Sequence, residues 1–412
     1  MKFKHFLIIG ICLSGISLKA QINPALNGNW LGAIVLDPTE KGMDVPFNMS
    51  ISSIKGKPST INIRSAADKI VVKEIERQGD SIFFKMPVFV SEVTFKVKGD
   101  SLVGRYYPKG KGKGVSYKFY ALKNVTDRFP WFKETPKVNV TGRWKYIVNP
   151  NTSNADSLVA EFKQQGAKFT GSILDPTGDM RFLEGKIAGN KFYMSGFDGG
   201  RASIFTAEVT TDGRIINGRM MTSPAYKPTW IAIKDENAKI AESKDLIKVK
   251  SGIKNFKFSV KDLNGKTFTS DDPSLKGKVL VVQASGSWCP NCLDETKLYQ
   301  SLYEKYHNKG LEIVSLMFEE NDLESSKYRI QRFVSQTGAK YNFYYAGPRS
   351  KKNKEEVLYP FEGVVAFPTT VFIDKKGEIR TVHTGFSGPG TGSHYTELVK
   401  EVTAIIEELI KE

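Results

Sequence analysis

The sequence predicts an α/β domain at the C-terminal end of the chain, preceded by two all-β domains that are each a small barrel or sandwich. The first observation is a repeat: GNW at residues 28–30 recurs as GRW at 142–144, and LVGR at 102–105 recurs as INGR at 216–219. Both pairs share one offset, from 30 to 144 and from 104 to 218, which indicates a duplicated domain. The second observation is a strand–helix–strand pattern that begins near residue 279.

Residues 1–20 have the pattern of a secretory signal peptide. Lysines precede the apolar run 6–16, and Ala20 ends the segment. The run is shorter than the ~20 apolar residues of a membrane span. Cys12 follows Ile11, where a lipid-modified cysteine would follow a small residue, so a lipoprotein is disfavoured. We expect a periplasmic or otherwise exported protein, with residues 1–20 cleaved and no stable membrane insertion.

Charge disfavours one further class of protein, and cysteine usage excludes another. The 412-residue chain carries a formal net charge of +16, but its lysines are spread along the sequence, which favours a generally basic protein over a nucleic-acid binder. Of its three cysteines, Cys12 leaves with the signal peptide, and Cys289 and Cys292 stand three positions apart. A loop that short adds little stability when it is cross-linked, which excludes a structural disulfide framework.

The two repeat copies, residues 23–124 and 138–235, consist of short alternating runs between turn signals. Residues 204–209, for example, alternate apolar and polar side chains as a half-buried strand does. Closely spaced strands with little helical periodicity predict a small barrel or sandwich in each copy. The pattern is similar to the lipocalin-like β-domains that accompany exported hydrolases in Bacteroidetes. Trp30 and Trp144 are assigned to the two cores, because a large aromatic at the start of a small β-domain usually seals its interior.

A polar, charged stretch, residues 236–252, is predicted as the linker to the C-terminal domain, residues 253–412. In that domain we expect a hairpin, a buried strand, a helix, a parallel strand, a second helix, a final hairpin and a closing helix. The predicted ranges are, in that order, 256–268, 279–284, 290–308, 311–318, 322–337, 369–384 and 395–409.

Cys289 and Cys292 lie where the buried strand passes into the first helix of this domain. Pro290 suits the first helical position, which places Cys289 at the helix N-terminus, where unpaired amides and the helix dipole favour a thiolate. Cys289 is therefore the expected nucleophile. Cys292 lies one turn further on the same face, close enough to pair with Cys289, and is the expected resolving thiol.

Three strings in this domain match a known family: WCPNC at 288–292, Glu295 three residues beyond the second cysteine, and GV at 363–364 leading to FPTT at 367–370. With them, residues 253–412 resemble the thioredoxin fold, and in detail the TlpA/ResA-like branch of exported thiol-disulfide oxidoreductases. The resemblance implies thioredoxin-like exchange chemistry, with Glu295 moving the proton of the second cysteine. An ordinary helix carboxylate is the alternative for Glu295.

The same resemblance implies a substrate-binding surface beside the cysteines and a cis proline that faces them. The residues expected there are Trp288, Pro290, Phe367, Pro368 and Thr369. No cofactor is expected beyond the redox-active disulfide formed by the two cysteines. No metal is expected either, because a zinc site would need a second cysteine pair or histidines at ligand spacing, and the sequence has neither.

Several departures from the family pattern surround the cysteines. Gln283 stands where thioredoxins often have a buried acid, and Ala284 and Ser285 replace bulky aromatics. Thr296 replaces a proline, and the polar residues 349–356 form a longer segment that we expect to shape the substrate groove. None of these changes removes a residue that exchange requires.

The leading hypothesis is a periplasmic reductase of protein disulfides, kept reduced by a membrane thiol-reductant donor, although the sequence leaves the direction of exchange open. A thiol peroxidase is less favoured, because Cys289 lacks the Pro-x-x-x-Thr/Ser-x-x-Cys pattern of peroxidatic cysteines. A third alternative is a binding protein whose β-domains recognise a ligand or partner, with the C-terminal domain as a redox-sensitive module. No nucleic-acid partner is expected.

Overall fold

The computed structural model describes residues 22–108, 114–363 and 365–412, without the side chains of residues 243–244. The predicted signal peptide, residues 1–20, and Cys12 lie outside the described residues, as does residue 364 of the family string. Among the helices in the described ranges, none is both long enough and apolar enough to cross a membrane.

The first repeat copy folds into a curled antiparallel sheet of nine strands. These are β1 (Gly28–Val35), β2 (Val45–Ser52), β3 (Thr60–Ser65), β4 (Asp68–Val72), β5 (Ile75–Gln78), β6 (Ser81–Lys85), β7 (Glu92–Lys98), β8 (Ser101–Tyr107) and β9 (Tyr117–Lys123). The order in the sheet is β4-β3-β2-β1-β9-β8-β7-β6-β5, so the first and last strands pair and β4 and β5 are the two edges. The sheet wraps around a core in which Trp30 is fully buried and its indole donates to the Leu26 carbonyl over 2.9 Å.

The second repeat copy forms a closed barrel. Its strands are β10 (Gly142–Val148), β11 (Asp156–Gln165), β12 (Lys168–Asp175), β13 (Gly178–Asp179), β14 (Leu183–Ala188), β15 (Lys191–Phe197), β16 (Ala202–Val209), β17 (Arg214–Met221) and β18 (Thr229–Lys234). The order is β11-β10-β18-β17-β16-β15-β14-β12-β13, and pairing of β11 with β12 closes the barrel. Trp144 is buried in its core and donates to the Val140 carbonyl over 2.9 Å, as Trp30 does to Leu26 in the first copy. The core assignment of both tryptophans is confirmed.

The two β-domains share one hydrophobic core cluster. Phe197, Ile204 and Met221 of the second domain belong to the cluster that contains Phe47 of the first. The rings of Phe47 and Phe197 lie 4.7 Å apart. Because apolar surface from both domains is removed from water in one cluster, the hydrophobic effect holds them together as one unit.

The C-terminal domain has a thioredoxin-like fold with a mixed seven-stranded sheet. The elements from residue 243 onward are α1 (Ser243–Leu246), β19 (Ile247–Val249), β20 (Ser259–Lys261), β21 (Thr267–Thr269), β22 (Val279–Ser285), α2 (Pro290–Tyr306), β23 (Leu311–Glu319), α3 (Leu323–Thr337), β24 (Asn342–Pro348), α4 (Lys351–Val357), β25 (Phe361–Gly363), β26 (Thr369–Ile373), β27 (Ile379–Thr384) and α5 (Ser393–Lys411). The sheet order is β21-β20-β24-β23-β22-β26-β27. The strands β22, β23 and β24 are parallel, as the strand–helix–strand pattern predicts for the first two.

The central strands position the cysteines. Every residue of β22 and of β23 is buried, as expected for parallel strands that are covered on both faces, and β22 contains the predicted buried strand. The chain leaves β22 at its C-terminal end and enters α2 five residues later, so the cysteines lie at the edge where the parallel strands end. The elements β24 and α4 were not predicted, since β24 has only Phe343 and Ala346 buried and shows no apolar run.

Part of the predicted linker is folded onto the C-terminal domain. Within residues 236–252, β19 pairs antiparallel with β25, and Ile247 is only 2% exposed. Ile247 is buried although the segment around it is rich in charged residues, and those charges led to the linker prediction. Residues 247–249 are therefore a strand of the C-terminal domain.

A loop of the first β-domain, residues 86–90, also packs against the C-terminal domain. Phe89 is 3% exposed and belongs to the same core cluster as Leu293 of α2. Beside this loop, Arg332 of α3 forms an ion pair of 2.6 Å with Glu74 of the first β-domain. The first β-domain is thus docked on α3 and on α2, the helix that carries the cysteines.

Candidate redox site

Cys289 caps the N-terminus of α2, as predicted. Pro290 occupies the first turn, and the Cys292 amide donates to the Cys289 sulfur over 3.3 Å. This contact uses one of the backbone amides that a helix N-terminus leaves without an intrahelical partner. The Cys289 thiol in turn lies 3.6 Å from the Phe367 carbonyl oxygen, to which it donates. Both cysteines are free thiols, and they are 5% and 0% exposed.

Cys292 is shielded from solvent, which agrees with its predicted role as the second thiol. Burial raises the pKa of the Cys292 thiol, and the neighbouring Cys289 sulfur and the Glu295 carboxylate raise it further. Cys292 is therefore held as a thiol and needs a group that accepts its proton before it can attack a disulfide.

Glu295 lies inside the domain and accepts two side-chain hydrogen bonds. The Gln283 amide donates to one carboxylate oxygen over 2.8 Å, and the Thr370 hydroxyl donates to the other over 2.7 Å. The Gln283 carbonyl oxygen accepts a further bond of 2.7 Å from the Tyr341 hydroxyl. Burial raises the pKa of Glu295 to about 7, although the two hydrogen bonds lower it. A carboxyl with such a pKa can both take up and release a proton near neutral pH.

The predicted substrate-binding residues lie on two sides of Cys289. Trp288 and Pro290 are partly exposed beside it, and the Phe367–Pro368 peptide bond is cis, as the resemblance implies. The rings of Trp288 and Phe367 meet edge to face at 5.5 Å. Thr369 corrects the prediction: its side chain is fully buried and donates to the Ala366 carbonyl over 2.7 Å, so it supports the loop and does not present its side chain to a substrate.

The segment predicted to shape the groove does reach the redox site. The Arg349 guanidinium lies 4.4 Å from the centre of the Trp288 ring, a cation–π contact, and it pairs with Glu320 over 3.2 Å. Lys354 of α4 donates to the Val365 carbonyl over 2.9 Å, beside the cis-proline loop. Basic side chains thus border the exposed approach to Cys289.

A second buried carboxylate near the cysteines was not predicted. Glu319, at the end of β23, accepts from the Ser287 amide and the Ser287 hydroxyl, each over 2.8 Å, and is 0% exposed. These bonds fix the chain just before Trp288. The sequence signal that points to such a residue is a glutamate directly after the apolar run Leu316, Met317 and Phe318 at the end of the strand.

The second β-domain also reaches the redox site, through two residues that the sequence does not mark. Asp179 accepts from the Asn291 side-chain amide over 3.0 Å and from the Gly388 backbone amide over 2.6 Å. Arg181 donates to Asp294 of α2. Burial raises the pKa of Asp179 to about 6, although backbone hydrogen bonds from Gly388 and Arg181 lower it.

Known proteins similar to this chain match its C-terminal part. The Redoxin family model matches residues 248–399. The thiol-disulfide oxidoreductase ResA of Bacillus thuringiensis (strain Al Hakam) is 34% identical over 122 residues, which cover 30% of this chain and 62% of the relative. The chain therefore spans less than two thirds of that protein's length. A thioredoxin-family thiol:disulfide interchange protein from Chlorobium tepidum TLS has 22% identity and a TM-score of 0.30, over 38% of this chain and 95% of that one.

A second relative is covered more fully. ResA of Bacillus thuringiensis subsp. konkukian (strain 97-27) is 31% identical over 146 residues, which are 35% of this chain and 75% of the relative. Identity above 30% over three quarters of that protein, together with the Redoxin match, shows that this chain belongs to the ResA family of thioredoxin-like thiol-disulfide oxidoreductases.

Proposed function

We propose that the protein is an exported thiol-disulfide oxidoreductase that reduces protein disulfides by exchange through Cys289 and Cys292. The observation that carries the proposal is the position of Cys289 at the N-terminus of α2, where its sulfur accepts the Cys292 amide. In this position the sulfur faces the amides and the positive end of the helix dipole, which is the environment of an attacking sulfur in this class of chemistry. The ResA relatives support the same chemistry.

The first step is attack by the Cys289 thiolate on one sulfur of a substrate disulfide. The substrate S–S bond breaks, its electron pair leaves with the other substrate sulfur, and that sulfur takes up a proton. Cys289 is then joined to the substrate in a mixed disulfide. The partly exposed rings of Trp288 and Phe367 border Cys289 and are the surfaces on which a substrate chain would rest.

The second step is attack by Cys292 on the Cys289 sulfur. Cys292 passes its proton to Glu295, the mixed disulfide breaks, and the second substrate sulfur leaves with the electron pair and takes up a proton. The substrate disulfide becomes two thiols, and the two cysteines of the protein become a disulfide. Burial raises the pKa of Glu295 to about 7 and so makes its carboxylate a stronger base than an exposed one, which suits it to accept the proton of the buried Cys292 thiol.

The direction proposed is reduction of the substrate. Buried carboxyl groups, Glu295, Glu319 and Asp179, lie in the shell around α2 and the preceding turn and disfavour a further negative charge there. A strong oxidant of this fold instead stabilises its reduced thiolate form. A membrane thiol-reductant donor would return the disulfide to the dithiol form, since an exported protein has no cytosolic reductant at hand.

Insulin-disulfide reduction tests the activity. Cys289→Ser should abolish it, and Cys292→Ser should accumulate the mixed disulfide, visible as a protein–substrate adduct that dithiothreitol removes. Ser301→Ala, a change on an exposed part of the same helix, is the matched control and should act like the wild type. Undiminished insulin reduction by Cys289→Ser would falsify the exchange mechanism.

The equilibrium reduction potential of the cysteine pair tests the direction. Equilibration with glutathione, followed by alkylation of free thiols, gives the potential directly. A value near about −270 mV, that of thioredoxin, supports a reductase, whereas a value near about −120 mV makes the protein an oxidant of its substrates.

Export is tested separately from the chemistry. Expression of the full chain in a Gram-negative host should give a periplasmic product whose N-terminal residue is Gln21. Recovery of the uncleaved chain in the cytoplasm would contradict the export proposal without touching the exchange mechanism.

A further inference from the structure

The first two turns of α2 are covered by the second β-domain, not by solvent. Asn291 lies between the two cysteines and is 8% exposed, and Asp294 follows one turn later and is 3% exposed. The residues that cover them, Asp179 and Arg181, are each 4% exposed. Four polar or charged side chains are thus removed from water at one contact, and such groups are retained in a buried position when they are paired.

Arg181 and Asp294 form a bidentate ion pair across this contact. The Arg181 Nε and Nη2 atoms donate to the two Asp294 carboxylate oxygens over 2.7 and 3.0 Å. The third guanidinium nitrogen lies 3.5 Å from Asp68 of the first β-domain. The planar guanidinium therefore fixes α2 in orientation as well as in distance, and it joins all three domains.

Asp179 holds Asn291, one of the two residues between the cysteines. One of its oxygens accepts both the Asn291 amide, over 3.0 Å, and the Gly388 amide, over 2.6 Å, and its other oxygen accepts the Arg181 backbone amide. The Arg201 guanidinium lies near the Asp179 carbonyl, at 3.5 Å. The carboxylate thus connects the first turn of α2 to the loop that follows β27.

Glycines allow the close approach of the chains at this contact. A Cβ on Gly388 would lie 3.1 Å from the Asp179 carboxylate, and one on Gly178 would lie 3.0 Å from the Asn291 side chain. A Cβ on Gly390 would lie 2.6 Å from the Arg181 carbonyl. Three glycines at positions where a side chain would push the domains apart show that the sequence itself is adapted to the contact.

We propose that Asp179 and Arg181 are positioning residues of the redox centre, through which the second β-domain sets the balance between the dithiol and disulfide forms of Cys289 and Cys292. The inference rests on the proposed exchange function and assigns a part of it to the β-domains. Arg181 fixes α2 through Asp294, and Asp179 holds Asn291 and places a negative charge beside the first turn of the helix.

The sign of the effect follows from that charge. A carboxylate close to the first turn opposes a thiolate at Cys289 and so makes the dithiol form less stable relative to the disulfide. Asp179→Asn removes the charge and keeps the size of the side chain, so the reduced form gains stability and the potential rises.

The test is the equilibrium constant of the full-length protein with glutathione at pH 8, where the Asp179 carboxyl, with its pKa of about 6, is ionised. Asp179→Asn should shift the constant about tenfold toward the dithiol, which is about 30 mV for this two-electron couple. Asn291→Ala breaks the same hydrogen bond from the other domain, and in the double variant the two shifts should not add. If Asp179→Asn fails to fold, Asp179→Ser, which also removes the charge, takes its place with the same expected shift toward the dithiol.

Glu74→Gln is the matched control, because it weakens another contact between domains, with Arg332 of α3, that does not touch α2. It should leave the constant within twofold of the wild type. The proposal is overturned if Asp179→Asn also stays within twofold, or if Glu74→Gln shifts the constant equally. If the wild type does not reduce insulin but Asp179→Asn still shifts the equilibrium constant with glutathione, the proposed function is refuted and the positioning role stands.

Discussion

At Glu295, burial and hydrogen bonding act on one carboxyl in opposite directions. Burial raises its pKa to about 7, and the bonds from Thr370 and Gln283 lower it. The result is a group that titrates near neutral pH inside a hydrophobic domain. Gln283 supplies a hydrogen bond to this carboxyl and adds no competing charge.

The shift in the pKa of Glu295 predicts a pH-dependent stability. The folded protein binds this proton more tightly than the unfolded chain, so the stabilisation is fully present below the ordinary value of 4.5 and is lost as the pH rises to about 7. Glu295→Gln should remove this dependence and be more stable than the wild type at pH 8, by up to roughly 3 kcal/mol. Thermal unfolding of both proteins between pH 5 and pH 8 measures this pH dependence of stability, with Glu324→Gln, at an exposed position, as the control. If the stability of Glu295→Gln and of the wild type changed with pH in the same way, the raised pKa of Glu295 would be contradicted.

The same substitution predicts a kinetic effect on the second step of exchange. Without the carboxyl, Cys292 passes its proton to solvent, and loss of a general base typically slows such a step by about 10²-fold. Glu295→Gln should therefore form the mixed disulfide at the wild-type rate and resolve it slowly. Quenched-flow trapping with a labelled disulfide peptide follows both steps. Equal resolution rates in the variant and the wild type would make Glu295 an ordinary helix carboxylate.

At the scale of single residues, local patterns predicted the chemistry and missed its surroundings. Cys289, Cys292 and Pro290 share one short string, so a helix N-terminus fixes their relation, and the structure places them as expected. Asp179 is more than 100 positions away in the sequence and looks like an ordinary turn residue. Its contact exists only after two domains have packed together.

At the scale of elements, a strand outside the predicted domain supports the cis-proline loop. The strand β19 pairs with β25, and β25 is followed within a few residues by Phe367 and Pro368. The buried side chain of Ile247 anchors β19 in the hydrophobic cluster that also contains Phe361. Movement of β19 would therefore be transmitted to the loop whose carbonyl contacts Cys289.

This pairing predicts that Ile247→Ala destabilises the C-terminal domain. Truncation of a buried isoleucine costs about 2–5 kcal/mol. Hydrogen exchange should also become faster in residues 361–363, because the β19–β25 bonds loosen. Lys248→Ala, on the exposed side of the same strand, should change neither quantity. Unchanged exchange in Ile247→Ala would show that the segment acts only as a linker.

The strands and helices that the sequence predicted are those with one clear pattern of apolar residues. The strands β22 and β23 are buried along their whole length and are mostly apolar in sequence. The strand β24 alternates irregularly and lies between α3 and α4, so neither the period of a strand nor that of a helix stands out. The short helix α4 has no buried residues, and its start is marked only by a Ser350 cap.

At the scale of the whole molecule, both β-domains hold the helix that carries the cysteines. The first contributes Phe89 to the core around α2 and α3, and the second contributes Asp179 and Arg181 to its first turns. The repeat in the sequence predicted the number of domains. It did not predict their docking, because contact surfaces between domains follow no periodic pattern.

The docking of the first β-domain predicts that Phe89→Ala weakens the whole assembly. Loss of a buried phenylalanine costs about 3–5 kcal/mol. Because Phe89 lies between domains, the thermal transition of the C-terminal domain should shift down together with that of the first β-domain. Calorimetry measures both, and Glu76→Ala, an exposed change on β5, is the control. A shift confined to the first β-domain would show that the two domains unfold independently.

The difference between the two sheets also bears on how the chain reaches this structure. Among the described residues, the second β-domain closes through pairing of β11 with β12, whereas β4 and β5 of the first have no strand partner on their outer sides. Glu74, between β4 and β5, pairs with Arg332 of α3. Synthesis runs from the N-terminus, so the first β-domain, with its unpaired edges, is made before the C-terminal domain that contributes Arg332. Free strand edges invite pairing with other chains. The nascent chain is thus most prone to aggregate before its C-terminal domain is complete. A chaperone that covers exposed strand edges during synthesis should therefore raise the yield of folded protein more than one that acts on the completed chain.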